Sequence, residues 1–340
     1  MSQTTNAALP EVAFYYPEPF WVDGNWIKNL ILFFDGVGLL VPEYMRDRID
    51  RSDPAIVMGL SEAKLLHIFE PEQFVNKSAT EQLAGSLVDI IASGALDGLA
   101  TEHTRFAELS MSRLGYRGDV GLAEMIFEEL KQRGLAKASE DGVSIPLHPM
   151  VRSLVLVLLA QILRQPGREK GFDLAPATDR PALVDALREL LSIPDAPSIG
   201  HVVAFDLNAV GVDLGPIPMD EVLSFRREHL DEHRKYARAV RIFVHELSTM
   251  PADARALAFE ERQSEIDDLA ANLRKISRRA WKRPASFALS MLGATWTVIL
   301  GNPIGAILAG AGSVLNTFGT KGAVDTGAYS YLFSARNRYS

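Results

Sequence analysis

The sequence predicts a mainly α-helical protein with a small β-sheet, an α+β arrangement. Its C-terminal part is expected to hold a long helical hairpin followed by an apolar, Gly-rich hairpin. Three observations lead there. Apolar residues recur at steps of three and four through most of the long segments, the spacing that lines one face of a helix. Runs with β character are few and short, the clearest being Val12 to Tyr16 (VAFYY), stopped by Pro17. Finally, the 36 residues from Ala285 to Thr320 contain no Asp, Glu, Lys, Arg or His, and Gly301-Asn302-Pro303 divides them into two apolar arms.

Taken in order, VAFYY is a strand. Asp23 then caps a helix whose apolar positions Trp26, Ile27, Leu30, Ile31, Phe34 and Val37 share a face, with an end near Pro42. Asp35 falls inside that helix as a solvent-facing or capping carboxylate. Ser61 to Leu114 reads as helical, most clearly where Leu83, Leu87, Ile90 and Ile91 recur along Gln82 to Leu99. Asp119 to Leu147 holds an amphipathic helix, a Gly134 stop and a hairpin turning at Asp141-Gly142. That order resembles the last helix and wing of a winged helix-turn-helix, but Glu124, Glu128 and Glu129 on the helix argue against contact with DNA.

Val151 to Leu163 (VRSLVLVLLAQIL) is an apolar helix too short to span a bilayer, which takes about 20 residues. Gln165 to Asp179 is polar and rich in Gly and Pro, and so is expected to be loop. A helix from Arg180 to Leu191 and a strand from Val202 to Leu207 follow, the strand a candidate to pair with Val12 to Tyr16 or with the hairpin near Val143. The composition changes after Pro216 and Pro218, which divides the chain into residues 1–216, with the small sheet and winged-helix-like unit, and residues 217–340. Asp220 to Met250 is expected as one long helix with the stripe Ala237, Val240, Val244 and Leu247. Pro251 breaks it. Asp253 caps a second helix carrying Ile266, Leu269, Leu273, Ile276 and Ala280, so the two are expected to lie antiparallel.

Several short motifs carry a resemblance. Tyr15-Tyr16-Pro17, Trp26-Ile27-Lys28, Asp35 and the exit Val41-Pro42 are similar to the opening of a family of bacterial proteins of unknown function. Its members begin with a YYP strand, a W-[IL]-K helix carrying an Asp and a short V-P exit. Val222 to His229 (VLSFRREH) resembles the FR-containing helix of the same family, and Ala328-Tyr329-Ser330-Tyr331-Leu332 its tail. The resemblance implies a bacterial origin and a shared fold; it carries no activity with it.

Composition narrows the function classes. The chain has 340 residues, 47% of them apolar and 23% charged, enough to bury a large core. It has no cysteine, which excludes disulfides, cysteine-based zinc sites and thiol nucleophiles. The first residues lack a basic and then apolar leader, so a cytoplasmic start is expected. The net charge of −8 is uneven: residues 219–340 hold 17 Lys/Arg against 13 Asp/Glu, leaving 18 against 30 for the rest. That acidic first part disfavours nucleic acid, since phosphate contacts need clustered positive charge.

No catalytic signature is found. There is no GxSxG elbow, and Gly319-Thr320-Lys321-Gly322 lacks the Ser or Thr that follows the lysine of a phosphate loop. Gly305, Gly310 and Gly312 do not follow a strand. His229 and His233 lie four apart with Leu230 where a zinc protease needs Glu, and Asp231, Glu232, Arg234 and Arg238 fit ion pairs along the helix better than a metal site. No catalytic residue, metal or cofactor is expected.

The uncharged stretch holds the sharpest expectation. Each arm, about 17 residues, makes roughly 25 Å of helix, slightly short of a ~30 Å hydrocarbon core. Arg278, Arg279, Lys282 and Arg283 with Trp281 form a basic, aromatic collar before it, and Lys321 follows. Trp296, the Pro303 turn and Leu308 complete the candidate membrane contacts. The expected function is therefore a non-enzymatic bacterial effector, toxin-like, whose hairpin associates with the inner membrane. A soluble helical scaffold, oligomeric through the long helices and with the hairpin buried, is the alternative. The expected partners are another protein or a second copy of the chain.

Overall fold

The computed structural model describes residues 9–21, 24–49, 53–100, 105–114, 121–180, 186, 187, 189–191, 206, 209, 214, 216–276 and 330–339. The chain is mainly α-helical with a small β component. Strand β1 (Glu11–Tyr15) leads through helix α1 (Gly24–Phe33) to strand β2 (Gly36–Leu40). A 3-10 turn (Glu43–Arg48) and helix α2 (Pro54–Glu62), capped by the Asp53 carboxylate on the Ile56 N–H, lead to β3 (Leu66–Phe69). After the single turn α3 (Pro71–Phe74) comes α4 (Lys77–Ala92), whose first turn is capped by Asn76.

Strand β4 (Ala107–Ser110) and a 3-10 turn (Met111–Leu114) precede α5 (Gly121–Gln132), β5 (Ser144–Leu147), α6 (Pro149–Ile162), the short α7 (Arg164–Glu169) and β6 (Asp173–Ala177). Four helices complete the described chain: α8 (Met219–Glu228), α9 (Leu230–Thr249), α10 (Ala252–Ile276) and α11 (Ser330–Tyr339).

The main sheet is parallel, in the order β3-β2-β1-β6. Its side chains alternate between two cores. Ala13, Tyr15, Val37, Leu39, Ala175 and Ala177 face α1, α2 and α8 to α11, while Val12, Phe14, Tyr16, Leu40 and Leu174 face α4, α5 and α6. A sheet buried on both faces needs apolar residues at every position, so its strands lose the alternation that marks a half-exposed strand. The second sheet is small: β4 pairs antiparallel with β5, and Ala136 bridges to Leu147 on the other side of β5. The hairpin around Asp141-Gly142 is present, with Gly142 at φ +70° and the Asp141 carboxylate accepting from the N–H groups of Val143 and Ser144.

The structure corrects several expectations. The helix expected to run from Asp23 towards Pro42 stops at Phe33, and Val37 belongs to β2. A side chain at Gly36 would lie 2.8 Å from the Leu65 carbonyl oxygen, so glycine is required where β2 enters the sheet. Asp35 is accordingly in the turn between α1 and β2, outside the helix. The supposedly helical stretch from Ser61 to Leu114 contains β3 and β4, and the loop expected over Gln165 to Asp179 contains α7 and β6. Asp206 is helical, so the strand expected over Val202 to Leu207 does not hold there; β1 is flanked instead by β2 and β6.

The long helix from Asp220 to Met250 is two helices, broken at His229 (φ −116°, ψ 35°). Its expected stripe Ala237, Val240, Val244 and Leu247 is buried as predicted. Helices α9 and α10 run antiparallel: Phe243 meets Phe259 with ring centroids 5.7 Å apart, and the Arg255 side chain donates to the Leu247 carbonyl at 3.0 Å. The compositional boundary near residue 216 is crossed by packing, because α8 and α9 share a core with α1, α2 and the sheet. The apolar hairpin of residues 285–320 lies outside the described residues, as do the expected capping residues Asp23 and most of the expected helix from Arg180.

Candidate functional site

Strand order reverses between β1 and β6, since β2 and β3 extend the sheet to one side of β1 and β6 to the other. In open parallel sheets the carboxyl ends of the strands at such a reversal are where ligands bind, because the connections leave to opposite faces and open a crevice. Here the YYP motif occupies that place: Tyr15 ends β1, and Tyr16, Pro17 and Glu18 leave the sheet.

A polar cluster gathers around this exit. The Tyr15 hydroxyl donates to the Asp179 carboxylate, 3.2 Å from each oxygen, and its ring packs edge-on against Trp26 with centroids 5.2 Å apart. Arg113, from the 3-10 turn after β4, donates to the carbonyls of Tyr16 (2.6 Å) and Pro17 (3.2 Å). Arg152, in the first turn of α6, donates to the Glu108 carbonyl at 2.8 Å and to the Glu18 carboxylate at 2.8 Å. Arg180 reaches the other Glu18 oxygen at 2.9 Å. Glu18 is thus held between two guanidiniums, with a third beside them.

Burial shapes the electrostatics. The Arg113 guanidinium is lowered to about 10 by burial and by the neighbouring Arg152 charge, and so stays protonated at neutral pH. Burial pushes the Tyr15 hydroxyl up, and the Asp179 charge adds to that. Burial also raises Asp179 above the usual carboxylate range. The Glu18 and Arg180 side chains keep 28% and 39% of their surface exposed while Arg152 keeps 10%, so the cluster opens to solvent through Glu18 and Arg180.

The amino edge of the sheet carries a second cluster, in which Arg226 and Glu11 are buried while Asp35 and Arg241 keep 34% and 42% of their side-chain surface exposed. Asp35 accepts from the Glu11 N–H at 2.9 Å and lies 3.7 Å from Arg226 of α8. Arg226 also donates to the carbonyls of Ile31 and Phe34, satisfying acceptors that the end of α1 leaves free. Glu11 pairs with Arg241 of α9, and burial raises its pKa despite that partner. Beside them His233 is 1% exposed, its ring meeting Tyr331 of α11 edge-on at 5.5 Å. Burial, then the charges of Arg226, Arg241 and Arg234, lower His233 to about 3. A pair that is buried on both sides ties α10 in: Arg262 donates to Asp206 at 2.6 Å, and the Tyr236 hydroxyl donates to the same carboxylate at 2.5 Å.

The motif residues therefore divide. Tyr15, Tyr16, Pro17 and Trp26 lie together at the carboxyl edge, and Asp35 lies at the opposite edge as a structural tie. The segments that share the resemblance nonetheless converge on one core: Arg226 reaches the end of α1, and Phe225 packs on Tyr331 with centroids 5.2 Å apart. His229 packs at a tilt against Phe225, centroids 4.6 Å apart, while His233 is buried, so the histidine pair does not form an open site. Of the ion pairs expected along the helix, Asp231 with Arg234 is present at 3.8 Å, while Glu232 lies 3.7 Å from the His229 ring.

Among the described residues no group of His, Asp and Glu is arranged to hold a metal ion, and no helix is long and apolar enough to cross a membrane. Arg278, Arg279, Trp281, Lys282, Arg283, Trp296, Pro303 and Leu308 lie outside the described residues. Sequence reasoning missed Glu18, Arg113, Arg152, Asp179 and Arg180. One signal was available, since Arg152 is the only charge in the apolar run from Val151 to Leu163, and a lone cation in such a helix needs a partner. Comparisons with protein-family models, with curated proteins and with solved structures return no match.

Proposed function

We propose that this protein is a non-enzymatic effector in which the uncharged stretch from Ala285 to Thr320 acts on a membrane and the α/β body controls it. The observation that carries the proposal is the stretch itself: 36 residues without a charge, preceded by Arg278, Arg279, Trp281, Lys282 and Arg283. Such an arrangement suits insertion as a re-entering hairpin with its basic collar on the cytoplasmic side of an inner membrane. Small residues at Ala306, Ala309, Gly310 and Gly312 suit close helix packing in lipid.

Support also comes from how the neighbouring helices are held. On one side α10 is fixed by Arg262 on Asp206 and by Ile266 in the core; on the other, α11 is fixed by Tyr331, Leu332 and Phe333. Both neighbours thus share one core with the sheet. The test is dye release from vesicles of anionic lipid by the wild type and by Leu308→Asp. Release by the wild type, lost in a Leu308→Asp variant that still unfolds at the wild-type temperature, supports the proposal. No release, with Leu308→Asp unfolding the protein in solution, overturns it in favour of a soluble scaffold.

A further inference from the structure

We propose that the carboxyl edge of the main sheet binds a phosphate-bearing small molecule, and that Glu18 holds the anion position until the ligand displaces it. This goes beyond the membrane proposal and stands whether or not the uncharged stretch inserts. Three features carry it. First, the cluster sits where the strand order reverses between β1 and β6, the place open parallel sheets use for ligands.

Second, the charges at that place are unbalanced. Arg113, Arg152 and Arg180 face two carboxylates, Glu18 and Asp179, so one positive charge is left over; Glu18 takes two of the guanidiniums while Asp179 accepts from the Tyr15 hydroxyl. Two guanidiniums each give one Glu18 oxygen a hydrogen bond, at 2.8 and 2.9 Å, and the same two donors could meet two oxygens of a phosphate. A dianion in that position would meet more of the surplus positive charge than one carboxylate does. Third, Arg113 is buried and its Nε–H has no hydrogen-bond partner among the described residues, a donor left over within the cluster. Glu18 and Arg180 are partly exposed, so a ligand can reach the position from solvent and Glu18 can swing out to it.

The net negative charge of the first part of the chain opposes anion binding only at long range. Beyond about 8 Å such charges are screened at physiological salt, whereas the guanidiniums act at contact. A small molecule suits the site better than a lipid headgroup, because Arg152 keeps only 10% of its side chain exposed.

Calorimetric titration of the full chain with inorganic phosphate tests the proposal, with acetate as the monoanion control. The wild type should bind phosphate saturably. Glu18→Gln, which removes the competing charge, should bind about tenfold more tightly, and Arg180→Ala about tenfold more weakly. Thermal unfolding confirms that both variants fold, which is expected because both side chains are partly exposed. Phosphate binding that neither substitution changes, or no saturable binding by the wild type or Glu18→Gln, overturns the assignment. Acetate binding as tightly as phosphate overturns the dianion preference, and binding only to vesicles carrying a phosphate-monoester headgroup overturns the choice of a small molecule. None of these readouts depends on dye release, so failure here is distinct from failure of the membrane proposal.

Discussion

The two edges of the parallel sheet use the same chemistry to different ends. At the amino edge, Arg226 pairs with Asp35 and Arg241 with Glu11, one cation to each carboxylate, and Arg226 also closes the end of α1. At the carboxyl edge, Arg152 and Arg180 meet Glu18 with the mouth still open and with a surplus of positive charge. Charge balance makes the difference. Cations matched one to one, with Arg226 also holding buried backbone acceptors, have no charge left for another partner and lock the helices to the sheet; a carboxylate facing surplus cations can give way to a ligand.

The comparison predicts a gradient of effects. Arg226→Ala should be the most damaging, lowering stability by about 2–4 kcal/mol in urea unfolding, since it leaves the carbonyls of Ile31 and Phe34 without their buried donor. A loss under about 1 kcal/mol would mean that the amino edge is no lock. Acid should act next. His233 is lowered to about 3 in the folded protein against an ordinary 6.5, so below pH 6.5 the unfolded chain takes up a proton that the folded chain refuses. Stability from this group is therefore fully present above pH 6.5 and is lost as the pH falls towards 3, at roughly 1.4 kcal/mol per pH unit. Comparing wild type with His233→Leu across that range isolates the effect, and equal slopes would refute it.

Smaller changes belong to the carboxyl edge. Tyr15→Phe removes one hydrogen bond to Asp179 and should cost about 1 kcal/mol, read by the same urea unfolding. Arg180→Ala should change stability by less than about 0.5 kcal/mol while changing phosphate binding. A cost as large as that of Arg226→Ala would make the carboxyl edge a second lock and erase the contrast.

How much of this was legible depended on whether a segment's pattern was local. The α4 stripe of Leu83, Leu87, Ile90 and Ile91, the apolar α6, the Pro251 break and the α9 stripe all follow from spacing within one segment, and each is present. Strands β2 (GVGLL) and β6 (DLAPA) have no such pattern. The first continues the apolar run of α1 and so reads as more helix; the second hides in a Gly- and Pro-rich stretch. Both become strands because β1 offers them a parallel edge, a partner that lies far along the chain in the case of β6.

The sequence by itself determined the helical class, the strand at the YYP motif, the lack of cysteine chemistry and the uncharged stretch near the C-terminus, because each is a property of composition or of neighbours a few residues apart. Only the tertiary structure decided that the sheet is parallel with β1 at its centre, that Asp35 ties a turn, and that Arg113, Arg152 and Arg180 surround Glu18. The reason is physical. A strand buried on both faces has no alternation to betray it, and the partner of a buried charge is chosen by folding, which brings Glu18 to Arg152 across 134 positions of the chain.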